Sequence, residues 1–451
     1  MVLWIGVDDT DSLRGMCTTF LATELVRDLT RDYDLIGYPR LVRLNPNIPW
    51  KTRGNGALCI RVGEGTGSPW RAGRADGRDI LAYPRGRTPD DPADVVNRVA
   101  ALVEEWACFD DETTHPGFAV LDRPPAQGLY WKAVRDVVTK AEALRAGRGR
   151  GTVRGYKRGR GVVGALAATA WRPRDRTYEV LAYREPSRWG SPRAVDPESV
   201  IAMDQAVPTT FNNYDYENRR AVIAPRSPCP VLFGIRGDIP EDLGSAQEMV
   251  RGERPDRTLV FETNQGTDDH VSPVSSLRPW TTVRFRGTVS GGPVDLPGGH
   301  VVFQVGAADV TAYEPSKGFR AVVRTLVRGD QVEVIGAVRD VPRTLNLEKL
   351  GVLSLTRLVR RVGNPRCERC QKRAKSVGRN AGFRCARCRA KFPAAAAKVI
   401  EVPRAIPVGW YEPPVGSRRH LSKPLKRGLP REIGRVARPA YAESARASTP
   451  R

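Results

Sequence analysis

VLWIGVDDTDSLRGMCTT, residues 2–19, changes character twice in a short span. Val2 to Val7 is an apolar run with strand character. Asp8, Asp9 and Asp11 then place three carboxylates within four positions, Gly15 turns the chain, and Thr18 and Thr19 open an amphipathic stretch. Thr18 to Arg31 reads as a helix, so the segment is strand, acidic turn and helix, the start of an α/β domain. Carboxylates this close repel one another unless a cation or donor groups compensate them, and clustered oxygen ligands suit Mg²⁺. A hydroxyl at a helix N-terminus lies where amides and the dipole favour a phosphate. The residues alone leave two readings standing: a Mg²⁺ and phosphate site, or a solvated acidic turn followed by an ordinary cap.

Working outward, Leu41 to Arg43 reads as a strand entering NPNIPWKTRGNG. Pro46, Pro49, Gly54 and Gly56 exclude regular structure there and put Asn45, Asn47, Lys51, Thr52 and Arg53 on a stiff loop suited to touching a ligand. Leu58 to Val62 resumes a strand, and Glu64 to Asp91, rich in Gly, Arg and Pro, reads as a mobile insertion. Pro92 to Trp106 and Tyr130 to Leu144 have helical spacing. CFDDETTHPGFAVLD between them carries His115, either a loop residue or a ligand. RGRGTVRGYKRGRG, 148–161, has the composition of a basic linker, yet it runs straight into the apolar VVGALAATAW. Glycines before a buried element let amides approach an anion, though the P-loop signature is absent. Strands at Thr177 to Tyr183, Arg220 to Ala224, Val231 to Arg236 and Thr258 to Thr263, with a helix at Leu243 to Val250, make an α+β pattern.

Trp280 to Leu355 gives five short strands with one helix-like run before the fourth, an OB-type or other small antiparallel barrel. Cys367-x₂-Cys370 and Cys385-x₂-Cys388 follow, two knuckles that place four thiolates around a tetrahedral Zn²⁺. Lys372, Arg373, Lys375, Arg379, Arg384, Arg387 and Arg389 surround them, a charge pattern suited to an RNA backbone.

At 451 residues the chain has room for about three domains. Its net charge is +23, and residues 361–451 hold 23 Lys or Arg against 5 acidic residues, +18 in the last fifth. The base-rich end is therefore the expected polyanion binder. No apolar run approaches the ~20 residues of a membrane span, and the first residues are no secretory signal, so a cytoplasmic protein with no membrane partner is expected. Cys17, Cys59, Cys108 and Cys229 show no pairing logic, which fits a reducing compartment.

GVDDTDSLRGMCTT and YPRLVRLNPNIPWKTRGNGA, together with GRGVVGALAA, CPVLFGIRGD, GGHVVFQV, LNLEKL, the cysteine quartet and RRHLSKPL, resemble the archaeal tRNA(Ile) agmatidine synthase family over most of the chain. The resemblance implies an α+β multidomain fold: an α/β kinase-like domain with a ferredoxin-like domain, then an OB-fold β-barrel and a zinc ribbon. Its implied division is kinase-like at 1–62 and 129–195, an inserted or ferredoxin-like segment at 63–128 continuing as ferredoxin-like at 196–278, OB-fold at 279–360, ribbon at 361–395, and a basic segment at 396–451, disordered beyond 427.

The implied activity replaces the C2 oxygen of the wobble cytidine of tRNA(Ile), anticodon CAU, with agmatine, at the expense of ATP, so that AUA is decoded. A pyrimidine oxygen leaves only after phosphorylation. The resemblance puts Mg²⁺ on Asp8, Asp9 and Asp11, makes Thr18 a site the enzyme phosphorylates on itself, and assigns ATP to Lys157, Gly159, Arg160, Gly161, Lys51 and Arg53. Spacing could not have chosen Thr18 over Thr19. Agmatine carries two cationic groups and needs carboxylates or an aromatic face, which points to Thr209, Thr210, Phe211, Tyr214 and Asp215 in TTFNNYDYENRR. RNA contact is expected from Arg373, Lys375, Arg379 and Arg384 in the ribbon and from Arg418, Arg419 and Lys423 after it. Two rivals remain: a non-enzymatic single-stranded nucleic-acid binder, which leaves the carboxylates without work, and the same chemistry with lysine or another amine.

Overall fold

Leu3–Asp8 is a strand whose alternation serves two layers. Leu3, Ile5 and Val7 pack with the helices Thr18–Leu29 and Pro92–Trp106, while Trp4 and Asp8 face the helix Val162–Ala170 on the other side. The computed structural model describes residues 2–52, 54–272 and 277–430. Within them Leu3–Asp8 lies between Gly56–Thr66 and Gly117–Leu121, antiparallel to both, in a 13-stranded sheet.

The sheet has a second wing of Thr177–Tyr183 flanked by Val231–Gly237 and Arg257–Thr263. Arg40–Arg43 joins the wings, antiparallel to Gly56–Thr66 and parallel to Arg257–Thr263. The stiff loop leaves this seam strand, so it starts where the wings meet. Buried Arg40, 2.9 Å from Glu262, ties the seam electrostatically.

Two sequence expectations change here. Residues 64–91 are not a mobile insertion: Trp70–Ala75 and Arg78–Tyr83 form a hairpin that pairs with Arg257–Thr263 on one side and Asp34–Ile36 on the other. Ala72, Ile80 and Ala82 are buried, and their alternation was hidden among glycines and arginines. The helix expected over Tyr130 to Leu144 is two helices, Gly128–Arg135 and Lys140–Gly147, because Thr139 and Glu142 form a reciprocal capping box that starts a new one.

The strands Thr282–Asp295, Val301–Val305, Ala308–Ala312, Gln331–Val338 and Leu345–Ser354 close a barrel. The first pairs with the second and the fourth, and the third runs parallel to the fifth, with the helix Gly318–Arg324 between third and fourth. From there Leu358–Gly363 and Lys398–Val402 make a two-stranded stalk bearing the cysteine module. The chain then returns: Gly409–Tyr411 adds to the barrel strand Leu345–Ser354, and residues 412–430 run back as a strap over the α/β part. Leu421 is fully buried in the core there, worth roughly 2 kcal/mol of apolar burial. The basic segment expected at 396–451 is described as far as 430; of the stretch beyond 427 expected to be disordered, 428–430 are described and 431–451 lie outside the described residues.

Candidate active site

The acidic turn is shaped by its backbone. Asp9 has φ 59°, a left-handed conformation that Asp tolerates better than most residues. Thr10 is buried, and its hydroxyl donates to Thr18 Oγ1 at 3.2 Å, pinning the turn to the first residue of the helix Thr18–Leu29. No side chain caps that helix at Cys17, so its N-terminal dipole addresses the cavity that Thr18 and Thr19 line.

The cavity measures about 320 Å³, within the range of small-molecule sites. Asp8, Asp9 and Asp11 form one side. Burial, then Asp9, push the Asp8 carboxyl well above its ordinary range. A Cβ on Gly164 would stand 1.9 Å from Asp8 Oδ2, so only glycine lets the helix Val162–Ala170 approach this carboxylate. Arg160 reaches Asp9 at 3.1 Å, and Thr52 Oγ1 lies 3.4 Å from its other oxygen. His115, close by, is held below its usual value by burial and by Arg160.

The sequence-expected residues separate into groups. Asp8, Asp9, Asp11, Thr18, Lys51 and Arg160 all line the cavity. The Lys51 ammonium is nonetheless engaged by its own loop, donating to the carbonyls of Pro46 and Ile48 at 2.7 and 2.9 Å. Lys157 points away and clamps the carbonyls of Phe109 and Asp111. Gly159 and Gly161 do not line the cavity; Gly161 packs against the Asp8 carbonyl, where a Cβ would sit 2.4 Å away. Arg53 lies outside the described residues.

None of Thr209, Thr210, Phe211, Tyr214 and Asp215 lines the cavity. Thr209 donates to Asp242, Thr210 to the Val207 carbonyl, and buried Asp215 accepts from Asn218 and from the Gly416 amide of the strap. Phe211 lies under Arg427. Arg373, Lys375, Arg379 and Arg384 are exposed on the cysteine module. Arg418, Arg419 and Lys423 instead face Glu412, Glu348 and Asp175 at 3.0, 2.9 and 3.4 Å, so they fasten the strap.

Several cavity residues escaped the sequence reading. Glu179 is a buried carboxylate at an inward position of the apolar strand Thr177–Tyr183, where an unexplained charge was the available signal. Arg236 meets it at 2.9 Å, Arg43 ends the seam strand, and His420 arrives from the strap. Arg236 and His420 stood inside quoted motifs without a role; nothing in the sequence brought them together.

Cys367, Cys370, Cys385 and Cys388 have sulfurs all within 4.8 Å of one another, with Cys367 and Cys388 at 3.4 Å. Four converging thiols fit one tetrahedral zinc.

Three family models match the chain: the TiaS TCKD domain over residues 4–157, the TiaS FLD domain over 159–270 and the TiaS C-terminal zinc ribbon domain over 364–406. The isoleucine-tRNA 2-agmatinylcytidine synthetase TiaS of Methanocaldococcus jannaschii is 39% identical over 444 residues, 94% of this chain and 99% of the relative. The chain belongs to the TiaS family. The TiaS of Archaeoglobus fulgidus is 41% identical over 441 residues, covering 95% of this chain and 98% of that one. A crystal structure of TiaS in complex with an isoleucine tRNA and ATP superposes with a TM-score of 0.82 at 40% identity, covering 96% of this chain and 100% of that chain. A complex of TiaS with the same tRNA, AMPCPP and agmatine does so at 0.79 and 38%, with the same coverage. Like those TiaS structures, this chain is a mixed α/β multidomain protein with a β-barrel and a C-terminal zinc ribbon. No described helix is long and apolar enough to cross a membrane.

Proposed function

We propose that this chain is the ATP-dependent enzyme that phosphorylates the C2 oxygen of the wobble cytidine of tRNA(Ile) with a CAU anticodon and replaces it with agmatine, acting in the cytoplasm. The observation that carries the reading is the single cavity in which three carboxylates, a hydroxyl-bearing helix N-terminus and Arg160 converge. A binder of single-stranded nucleic acid has no use for three carboxylates converging on a cavity with Asp8 held well above its ordinary range, so that alternative is not favoured.

Asp8, Asp9 and Asp11 suit a divalent cation, because the burial that disfavours the Asp8 charge is offset once a cation shares it. Mg²⁺ held there supplies charge neutralisation for ATP phosphates. The chain's own part is to aim the helix N-terminus at the transferred group, to hold Asp9 ready through Arg160, and to offer the Thr18 hydroxyl as acceptor of a phosphoryl group from ATP. Lys51 is suited to move from its loop carbonyls to an arriving phosphate.

The wing of the sheet bearing Leu3–Asp8 is assigned the kinase-like role, the wing bearing Thr177–Tyr183 the ferredoxin-like one, and the barrel, whose strand order suits it, the OB-fold. The exposed arginines and lysines of the zinc ribbon serve the tRNA backbone, and the barrel presents the anticodon loop to the cavity. Glu179 is the carboxylate placed to meet a cationic amine, a better candidate by position than Thr209 to Asp215.

The test is direct. Incubation of purified protein with unmodified tRNA(Ile), ATP, Mg²⁺ and labelled agmatine, then digestion to nucleosides, is expected to put the label in the wobble cytidine. Label in no nucleoside rejects the activity, and incorporation of lysine in preference to agmatine rejects the amine.

A further inference from the structure

The wall of the cavity away from the acidic turn is cationic. Arg43 lies at the end of the seam strand, Arg236 on Val231–Gly237, and His420 on the strap, and all three line the same cavity. The carboxylate of Glu179, 2.9 Å from Arg236 and also accepting from Gln265, stands on this wall. Arg43 Nε finds no hydrogen-bond partner among the described residues, and Arg43 Nη1 reaches only the Gly54 carbonyl at 3.5 Å. Arg43, then burial, hold His420 well below its usual value, so its imidazole is neutral until an anion arrives. Two guanidiniums thus share one carboxylate on this wall.

The separation of the two walls is bounded by the loop. Thr52 Oγ1 lies 3.4 Å from Asp9, the Gly54 carbonyl accepts from Arg43, and a Cβ on Gly54 would stand 3.6 Å from the His420 ring. Thr52 and Gly54 are two residues apart, at most ~7 Å of chain. A phosphoryl group carried on a base at the acidic turn therefore comes within reach of the cationic wall.

We propose that Arg43, Arg236 and His420 form a phosphoanion subsite that receives the phosphate leaving the activated cytidine, a reading that rests on the proposed function and deepens it. In that step the agmatine amine nitrogen forms a bond to C2, the C2–O bond breaks, and its electron pair departs on the phosphate oxygen. The surplus proton of the amine ends on that phosphate, which leaves as hydrogen phosphate. Preorganised donors facing a developing charge stabilise it without reorganisation. The contribution of the strap makes this wall complete only when residues 412–430 are docked.

The experiment separates the two half-reactions in full-length His420→Ala, Arg236→Gln and Arg236→Lys proteins with intact melting transitions. With tRNA and ATP but no amine, acid-quenched tRNA is analysed for phosphorylated cytidine; with agmatine added, conversion of that species is followed. Expected are phosphorylation at near wild-type rate, KM for ATP within twofold, and conversion slowed about 10²-fold in Arg236→Gln, less in His420→Ala and partly restored in Arg236→Lys. A tenfold rise in the KM for ATP, or equal loss of both half-reactions, would assign the wall to nucleotide phosphates and overturn the proposal. Unchanged conversion in all three variants overturns it as well. If the wild-type protein incorporates no amine at all, it is the function and not this subsite that has failed.

Discussion

Arg160 Nη2 lies 3.1 Å from Asp9 Oδ2 although 151 positions separate them in the chain. This pair places the glycine-rich basic segment against the acidic turn and offsets part of its charge. In the proposed function a cation among Asp8, Asp9 and Asp11 would complete the compensation, so loss of the Asp9 charge is expected to be felt in metal use first. Asp9→Asn is expected to lower agmatine incorporation at least 10²-fold and to raise the Mg²⁺ concentration giving half-maximal rate. A Mg²⁺ titration of initial rates checks it, and full activity at limiting Mg²⁺ would remove the carboxylate from the metal site.

Thr18 and Thr19 both line the cavity, but Thr10 donates to Thr18, while Thr19 lies 3.0 Å from the Cys17 sulfur. The Thr10 contact orients the Thr18 hydroxyl beside the carboxylates. After incubation with Mg-ATP, mass spectrometry should find added phosphate on Thr18 and none on a Thr18→Ala protein. Phosphate on Thr19 alone would transfer the role to its neighbour.

Asp269 accepts from Tyr130 at 2.6 Å in the interior, and burial raises its pKa to about 6. A carboxyl raised above its unfolded value of about 4 binds its proton more tightly when folded. Its contribution to stability is present below about pH 4 and lost as pH rises through about 6. Asp269→Asn keeps an acceptor for Tyr130 without the charge. It should therefore be more stable than wild type above pH 6, by on the order of 3 kcal/mol at most, and indistinguishable below pH 4. Urea melts across pH 4 to 8 measure this; a variant less stable than wild type at pH 8 contradicts it.

Gly363 and Lys398 are paired at the end of the stalk, so a short turn can replace the cysteine module between them. That excision is expected to leave phosphorylation of Thr18 intact while weakening tRNA binding and flattening its salt dependence, because exposed Arg and Lys are removed. Truncation before residue 409 should abolish both, because it also takes away the strap, whose Leu421 is buried in the core of the α/β part. Equal damage from the two deletions would contradict this division.

The buried residues of the zinc ribbon belong to none of the core clusters of the α/β part or the barrel. Chelation of zinc, or Cys370→Ser, is therefore expected to reduce tRNA affinity without moving the main thermal transition by more than a degree or two. Calorimetry with and without chelator, beside filter binding, tests both halves; a collapse of the main transition would show that the ribbon supports the body.

Local rules carried the sequence reading a long way. The strand, turn and helix at 2–29, the two cysteine knuckles and the five barrel strands each carry a short-range pattern of residue types, and spacing reports such patterns. The hairpin at 70–83 was misread because a few small buried side chains decide it, and composition averages them away. The intramolecular partners of Lys157 and of Arg418, Arg419 and Lys423 were not legible, because a charge in a sequence does not reveal whether its partner is a ligand or a carbonyl or carboxylate of the same chain.

By itself the sequence determined the acidic turn with its threonines, the zinc module, the barrel and the basic distribution of charge. Only the tertiary structure decided that Arg43, Glu179, Arg236 and His420 share one cavity with Asp8 and Thr18. These residues come from the seam strand, the second wing of the sheet and the returning strap, and no spacing rule spans such distances. They meet because Arg40–Arg43 pairs with both wings and because Leu421 buries itself in the core beside them.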